Sequence, residues 1–253
     1  MQTVLVTGAA KGIGYAVAQR FAREGWFVGL FDIDAASCKE HVASGDFPQA
    51  IAGFCDVTDM ASIRGAMDEF SEATGGRLDV LVNNAGVLSA GEFADMSVEQ
   101  LDAMINVNVR GLTQVARAAY PMLEATANSV LVNLCSSSSI HGVPLLAVYS
   151  ATKFYVNGLT QALNIEWADN NIHVTSIKPP PVNTAMGHQL DPRHLDKMAI
   201  DNEPEDVADA VWSAVQRKPL HIIMGVSTKI WYWLTKLLPA AGGKWLMRTL
   251  LGN

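Results

Sequence analysis

Tyr149 and Lys153 stand four residues apart in Tyr149-Ser-Ala-Thr-Lys153, and Ser136 lies 13 residues before the tyrosine. On a helix, residues four apart share one face. A lysine cation beside a phenol favours phenolate and lowers its pKa from about 10 toward the working range. Tyr149 is therefore a candidate general acid/base near neutral pH. The spacing by itself is common and also describes an ordinary solvated helix face, so the rest of the chain has to decide.

A glycine loop opens the chain, Thr7-Gly-Ala-Ala-Lys-Gly-Ile-Gly14, between a strand-like run and a helical one. Gly8, Gly12 and Gly14 permit a tight turn and let backbone approach a pyrophosphate. Ile13 begins the helix, whose free N–H groups and positive dipole end face that anion. Lys11 sits inside the loop. Asp32 ends the second strand about 20 residues on, where a carboxylate binds ribose hydroxyls and repels a 2′-phosphate. That favours NAD. Lys11 is a contrary signal for NADP, but Ile33 and not a cation follows Asp32, so NAD leads. The competing role for Asp32 is to cap a turn. Asp56-Val57 after the third strand offers a site for an adenine edge. After the fourth comes Asn83-Asn-Ala-Gly86, where Ala85 and Gly86 leave room for a cofactor and the asparagines, Asn84 included, can tie strands together. In an open α/β sheet, these strand ends face one crevice.

The elements that must hold these residues read as alternating strands and helices. Continuous apolar runs at 3–6, 27–31, 50–54, 80–82, 130–134, 172–177 and 221–224 read as strands. Amphipathic stretches at 13–24, 61–74, 98–125, 148–168 and 204–217 lie between them. The expected fold is α/β, a Rossmann-type doubly wound parallel sheet in a single domain, 1–253. Ser97-Val-Glu-Gln100 reads as a capping box and Pro204 as a first-turn proline. Length fits one domain with a large core, since 49% of the 253 residues are apolar and 17% charged. Cys38, Cys55 and Cys135 show no zinc or redox spacing and read as buried thiols in a reducing compartment. Cys135, next to Ser136, reads as a small strand residue and not a nucleophile. No metal cluster is legible, and the start has no signal-peptide pattern. The net charge of −7 divides into +6 over residues 217–253, which contain no acid, and −13 over 1–216. The acidic body argues against nucleic-acid binding.

The combination resembles the short-chain dehydrogenase/reductase family, in its single-domain form of about 250 residues. TGAAKGIG (7–14), Asp32, Asp56-Val57, NNAG (83–86), Asn108 in NVRG, Ser136 in NLCS, YSATK (149–153) and PPPVNT (179–184) occur in the family order. The resemblance implies a tetrad of Asn108, Ser136, Tyr149 and Lys153. Asn106 competes for the first role, but Asn108-Val-Arg-Gly111 fits the family pattern. Ser137 and Ser138 compete for the second, and Ser136 has the family spacing. The roles implied are Tyr149 as acid/base and Ser136 on the substrate oxygen. Lys153 holds the nicotinamide ribose and depresses the tyrosine pKa, and Asn108 anchors a water relay. Pro179-Pro180-Pro181 replaces the usual Pro-Gly and should stiffen the loop beside the nicotinamide. Pro179, Val182 and Thr184 remain as cofactor contacts. A homodimer or homotetramer is implied in the same way.

Three loops should form the substrate pocket: Val87-Leu88, the 141–146 segment, and residues 185–198 as a lid. Val143, Leu145, Leu146 and Met186, together with Ser136 and Tyr149, suggest a lipophilic secondary alcohol or ketone, steroid-, retinoid- or acyl-like. His141 and His188 read as loop histidines ahead of substrate contacts. In the tail, 227–253, Ile230, Trp233, Leu234 and Leu237 share one helical face, and a second basic and apolar segment runs from Lys244 to Leu251. Packing of that face on the body, or on another subunit, is the leading reading. Peripheral contact with an anionic membrane is the other. The expected enzyme is an NAD-dependent oxidoreductase acting on CH–OH groups, cytoplasmic ahead of membrane-surface. Alternatives are an NADP(H)-dependent ketone reductase, a sugar epimerase or dehydratase, and a non-catalytic cofactor sensor on the same fold.

Overall fold

The computed structural model describes residues 1–189 and 201–237. The far part of the expected lid and the segment from Lys244 to Leu251 lie outside the described residues. Strand β1 (Thr3–Thr7) alternates its side chains between two helical layers, as period-2 geometry requires. Val4 and Val6 enter one core with helices α1 (Gly12–Arg23) and α7 (Pro204–Arg217). Leu5 enters the other with α3 (Met60–Thr74) and α5 (Leu112–Ala125). The same alternation repeats in β2 (Phe27–Asp32), β4 (Val80–Asn83) and β5 (Val130–Leu134). With β3 (Ala50–Phe54), β6 (His173–Lys178) and β7 (His221–Ile223), they form one parallel sheet in the order β3-β2-β1-β4-β5-β6-β7.

The order in which strands are added reverses between β1 and β4, a switch point that opens a crevice at the strand C-termini. Strands β1, β2 and β4 each run one residue beyond their apolar stretch, to Thr7, Asp32 and Asn83. Pairings such as Thr7 with Phe31 and Asn83 with Asn133 need only backbone groups, so polar residues continue the ladder. Of these polar strand ends Asp32 lines the crevice, while Thr7 and Asn83 are buried beneath it and bond Asn84 and the Leu112 carbonyl.

Three helical features differ from the expectation. Helix α2 (Ala35–Ala43) was not legible from apolar periodicity, because Cys38 is its one fully buried residue; its start is capped by Asp34, whose side chain accepts from Ser37 N. The stretch 98–125 is not one uniform helix. Helix α4 (Val98–Ile105), which starts with the Ser97–Gln100 capping box, is joined to α5 by a π-helical turn, Asn106–Gly111. In the tail helix α8 (Val226–Leu237), the face expected to pack on the body or on another subunit does not pack on the body among the described residues. Thr228, Trp231, Tyr232 and Thr235 face the body, while Ile230 and Trp233 are 55% and 62% exposed. The body side is chosen by two contacts. Trp231 packs on the Val143–Leu146 cluster, and the Tyr232 ring lies 5.5 Å from the buried Lys178 ammonium.

Candidate active site

The crevice forms a cleft of about 530 Å³, in the range of small-molecule sites. Its floor at one end is the glycine loop. Gly14 permits the tightest approach, since a Cβ there would lie 2.0 Å from the Gly8 carbonyl oxygen. Asn84 Nδ2 donates to the carbonyls of Thr7 (2.9 Å) and Gly8 (3.0 Å), so β4 ties down the loop that leaves β1. Helix α1 begins with no side-chain cap at Lys11. Its first N–H groups are therefore available to a ligand anion, and Gly8, Lys11, Gly12, Ile13 and Gly14 all line the cleft.

Asp32 also lines the cleft, and it has a second task. One carboxylate oxygen accepts from Ala10 N at 3.0 Å and the other from Asp34 N at 3.0 Å. His41 Nε2 lies 2.9 Å from the Ala10 carbonyl oxygen, so the Ala10 residue is held from both sides. A carboxylate accepts about four hydrogen bonds, so Asp32 keeps capacity for ribose hydroxyls. Asp56 caps the following turn, with one oxygen accepting from Thr58 N and Thr58 Oγ1, both at 2.8 Å. Asp56, Val57, Asn84, Ala85, Gly86, Pro179, Val182 and Thr184 complete the expected cofactor residues, and all line the cleft. The donor set fits a dinucleotide: open helix N–H groups for a pyrophosphate, a carboxylate for a ribose, and small residues where a flat ring must lie.

Tyr149 sits in the first turn of α6 (Ala147–Glu166), with Lys153 one turn later. Ser136 follows β5 in extended backbone, where its Oγ accepts from Ser138 N at 3.1 Å, and it lines the cleft together with Tyr149. Lys153 is 6% exposed, and its Nζ donates to the Leu134 carbonyl at 2.9 Å while lying 5.6 Å from the Tyr149 ring centre. The expected fall in the tyrosine pKa is reversed. Burial pushes the hydroxyl up to about 12, opposed by the neighbouring Ser136 hydroxyl. The Lys153 ammonium addresses the Leu134 carbonyl and the ring face, and desolvation lowers its own pKa.

Asn108 is 1% exposed and does not line the cleft. The π turn aims its amide at the loop after β4. Oδ1 accepts from Val87 N and Nδ2 donates to the Val87 carbonyl, both at 2.8 Å, with a third bond to Thr152 Oγ1 at 3.3 Å. Gly111 is needed in the same turn, because a Cβ there would lie 2.8 Å from the Val57 carbonyl oxygen.

Two expected substrate residues do not reach the cleft. Val143 is buried beneath the wall in a cluster with Leu146, on which Leu88 and Tyr149 pack. Leu145 adopts a left-handed φ of 61° and gives its carbonyl to Gly91 N at 2.9 Å. Leu146, Leu88 and Met186 do line it. His141 bonds the Gly142 carbonyl, and His188 pairs with Asn183 Oδ1, so both are loop histidines. Asp34, Val107 and Leu134 line the cleft without having stood out in the sequence, and Ile33, Cys55, Cys135 and Ser138 line it although none was assigned a site role there. Most lie within two residues of a strand end, and that is the signal that could have found them. Cys135 gives its thiol hydrogen to the Lys153 carbonyl at 3.3 Å, as a packed strand residue would. All three thiols are buried and free, and burial pushes Cys38 and Cys55 up to about 12. Among the described residues there is no cluster able to hold a metal ion.

Residues 2–194 match the model of the short chain dehydrogenase family. The chain belongs to that family. This short-chain dehydrogenase is 33% identical over 221 residues to the oxidoreductase UcpA of Salmonella typhimurium, covering 87% of this chain and 82% of the relative. Among solved structures it is similar to the 3-ketoacyl-(acyl-carrier-protein) reductase of Brucella melitensis complexed with NADH. That match has a TM-score of 0.81 and 29% identity, over 88% of this chain and 96% of the other. A short chain dehydrogenase of Burkholderia cenocepacia in complex with NADP matches with a TM-score of 0.78 and 30% identity, over the same shares. The dehydrogenase is thus an NAD(P)-dependent oxidoreductase.

Proposed function

We propose that the chain interconverts lipophilic secondary alcohols and ketones with NAD(H), through Asn108, Ser136, Tyr149 and Lys153. The observation that carries this is the convergence of Ser136, Tyr149 and Lys153 on one wall of the cleft, with the Lys153 ammonium 5.6 Å from the Tyr149 ring centre. Gly8, Gly12 and Gly14 backbone would hold the pyrophosphate, and Asp32 the adenosine ribose. Asp56-Val57 would hold the adenine edge, Tyr149 and Lys153 the nicotinamide ribose, and Pro179, Val182 and Thr184 the carboxamide. A bound NAD supplies the hydride acceptor, and the positive charge of its oxidised ring favours phenolate at the nearby tyrosine. Tyr149 Oη takes the alcohol proton in oxidation and returns it in reduction. Ser136 Oγ, held by the Ser138 N–H, keeps its own hydrogen to donate to the substrate oxygen as charge develops there. Lys153 keeps a buried cation next to the tyrosine. Asn108 is a positioning residue, since its amide is taken up by Val87 and Thr152.

Val87, Leu88, Leu146, Pro180, Pro181 and Met186 line the substrate end, with Ser138 as a further polar group. That lining supports an apolar substrate. Exposed Phe154, Tyr155 and Ile165 on α6 support a contact with a second copy, readable by light scattering. The test is fluorescence titration with NADH and NADPH on wild type and Asp32→Asn, which keeps an acceptor for Ala10 N but removes the charge. NADH preference that the variant loses supports the reading. NADPH preference in wild type refutes the cofactor assignment and shifts the reading to ketone reduction. Binding without turnover across apolar alcohols and ketones refutes the activity.

A further inference from the structure

The outer face of α8 has no partner among the described residues. Val226, Ile230 and Trp233 are 76%, 55% and 62% exposed, and Leu234 is exposed beside them. At positions 226, 230, 233 and 234 they form one helical stripe. Exposed Lys229 stands on the same helix. The whole segment from Arg217 to Asn253 carries six cations and no acid, whereas residues 1–216 carry −13. The α8 sequence holds lysine and no acid, so an occupant that suits this face is apolar and anionic together.

The place of α8 adds a second argument. Its first turn abuts the proline loop, where a Cβ on Gly225 would lie 3.4 Å from Thr228 Oγ1 and 3.7 Å from Pro180 Cγ. Trp231 rests on the cluster that carries Leu88, Leu146 and Tyr149. The stripe thus lies on the far side of a helix whose near side packs behind the wall of the apolar end of the cleft.

We infer that α8 docks this end of the enzyme onto an anionic lipid bilayer, with the 226–230–233–234 stripe in the interface and Lys229 at the headgroups. The bilayer offers apolar depth and negative charge at one surface, and it brings the cleft mouth to where lipophilic alcohols partition. An acidic patch on a second copy would offer the charge alone.

Sedimentation of the full chain with phosphatidylcholine vesicles, with and without phosphatidylserine, tests this. The readout needs neither substrate nor turnover, so a wrong substrate class leaves it unchanged. Expected is binding to the phosphatidylserine vesicles that weakens with added salt. Ile230→Glu with Trp233→Glu should weaken it by at least about tenfold. Val98→Glu, an equally exposed site on α4, should leave it unchanged. Lys229→Glu, which leaves the stripe intact, should weaken it by a few-fold and carries the test if the double variant does not fold. Absence of binding overturns the inference, as does binding that ignores phosphatidylserine content or the α8 variants. A dimer that the double variant dissociates, with no vesicle binding, would make a second copy the occupant and also overturn it.

Discussion

At the β1–β3 end of the cleft, strand ends are held to one another by short polar contacts. Asn84 bonds Thr7 and Gly8, Asp32 bonds Ala10, and Thr7 Oγ1 accepts from Asn84 N. At the β5–β7 end, the walls are held by packing between loops and helices: Val143 clusters with Leu146, and Trp231 packs against that cluster. Directional bonds between fixed strands fix a geometry to tenths of an ångström, which suits a cofactor of constant shape. Packing of apolar loops tolerates replacement of one residue by another of similar volume, which suits a substrate that differs between relatives.

That contrast can be broken or sharpened by substitution. The largest effect is expected at Tyr149→Phe, where turnover should fall by roughly a thousandfold with NADH binding little changed. Paired rate and titration measurements check it. An equal loss of binding would mean the hydroxyl holds cofactor and not a proton. Next comes Gly14→Ala, whose Cβ would meet the Gly8 carbonyl at 2.0 Å. It should cost about 1–3 kcal/mol in chemical unfolding and weaken cofactor binding. An unchanged NADH affinity would show that the polar end is less rigid than its bonds imply.

The third expectation concerns alkaline pH. The Tyr149 pKa is raised in the fold to about 12 from 10, so folding favours its protonated form. Its contribution is present below pH 10 and lost as pH rises toward 12, up to about 2–3 kcal/mol. Lys153 acts in the opposite sense, because its pKa is lowered and folding favours its neutral form. Its contribution grows as pH rises from the lowered folded value to the ordinary 10.5. Unfolding curves from pH 8 to 12 should therefore lose part of their alkaline slope in Tyr149→Phe, and become steeper in Lys153→Met. Last, His141→Ala in the 141–146 loop should change stability by no more than about 0.5 kcal/mol and leave the Michaelis constant unaltered. A raised Michaelis constant would return His141 to the substrate site.

The same contrast explains what could be read from the chain beforehand. Residues bound to strand ends were legible, because apolar runs locate strands and the residues just after each run must face the crevice. Asp32 and the glycine loop needed no knowledge of side-chain direction. Val143 and Leu145 did: a left-handed residue at 145 redirects the loop, and nothing in the local sequence marks it. The Lys153 ammonium bonds the Leu134 carbonyl, a contact that depends on how α6 sits on β5 and so on tertiary placement. Helix α8 was legible as amphipathic, but periodicity locates a face without saying which side meets the body. The Lys178 and Tyr232 contact decides that.

The double employment proposed for Asp32 bears on redesign. Its carboxylate is the tether of Ala10, so, if it also selects NAD as proposed, deleting it to admit a 2′-phosphate would slacken the glycine loop as well. Ile33 lies next in the chain, is exposed and faces the cleft, with its side chain free of such duty. A cation introduced there would recruit the phosphate while the anchor stays in place, so cofactor exchange in this scaffold is better attempted by addition than by removal.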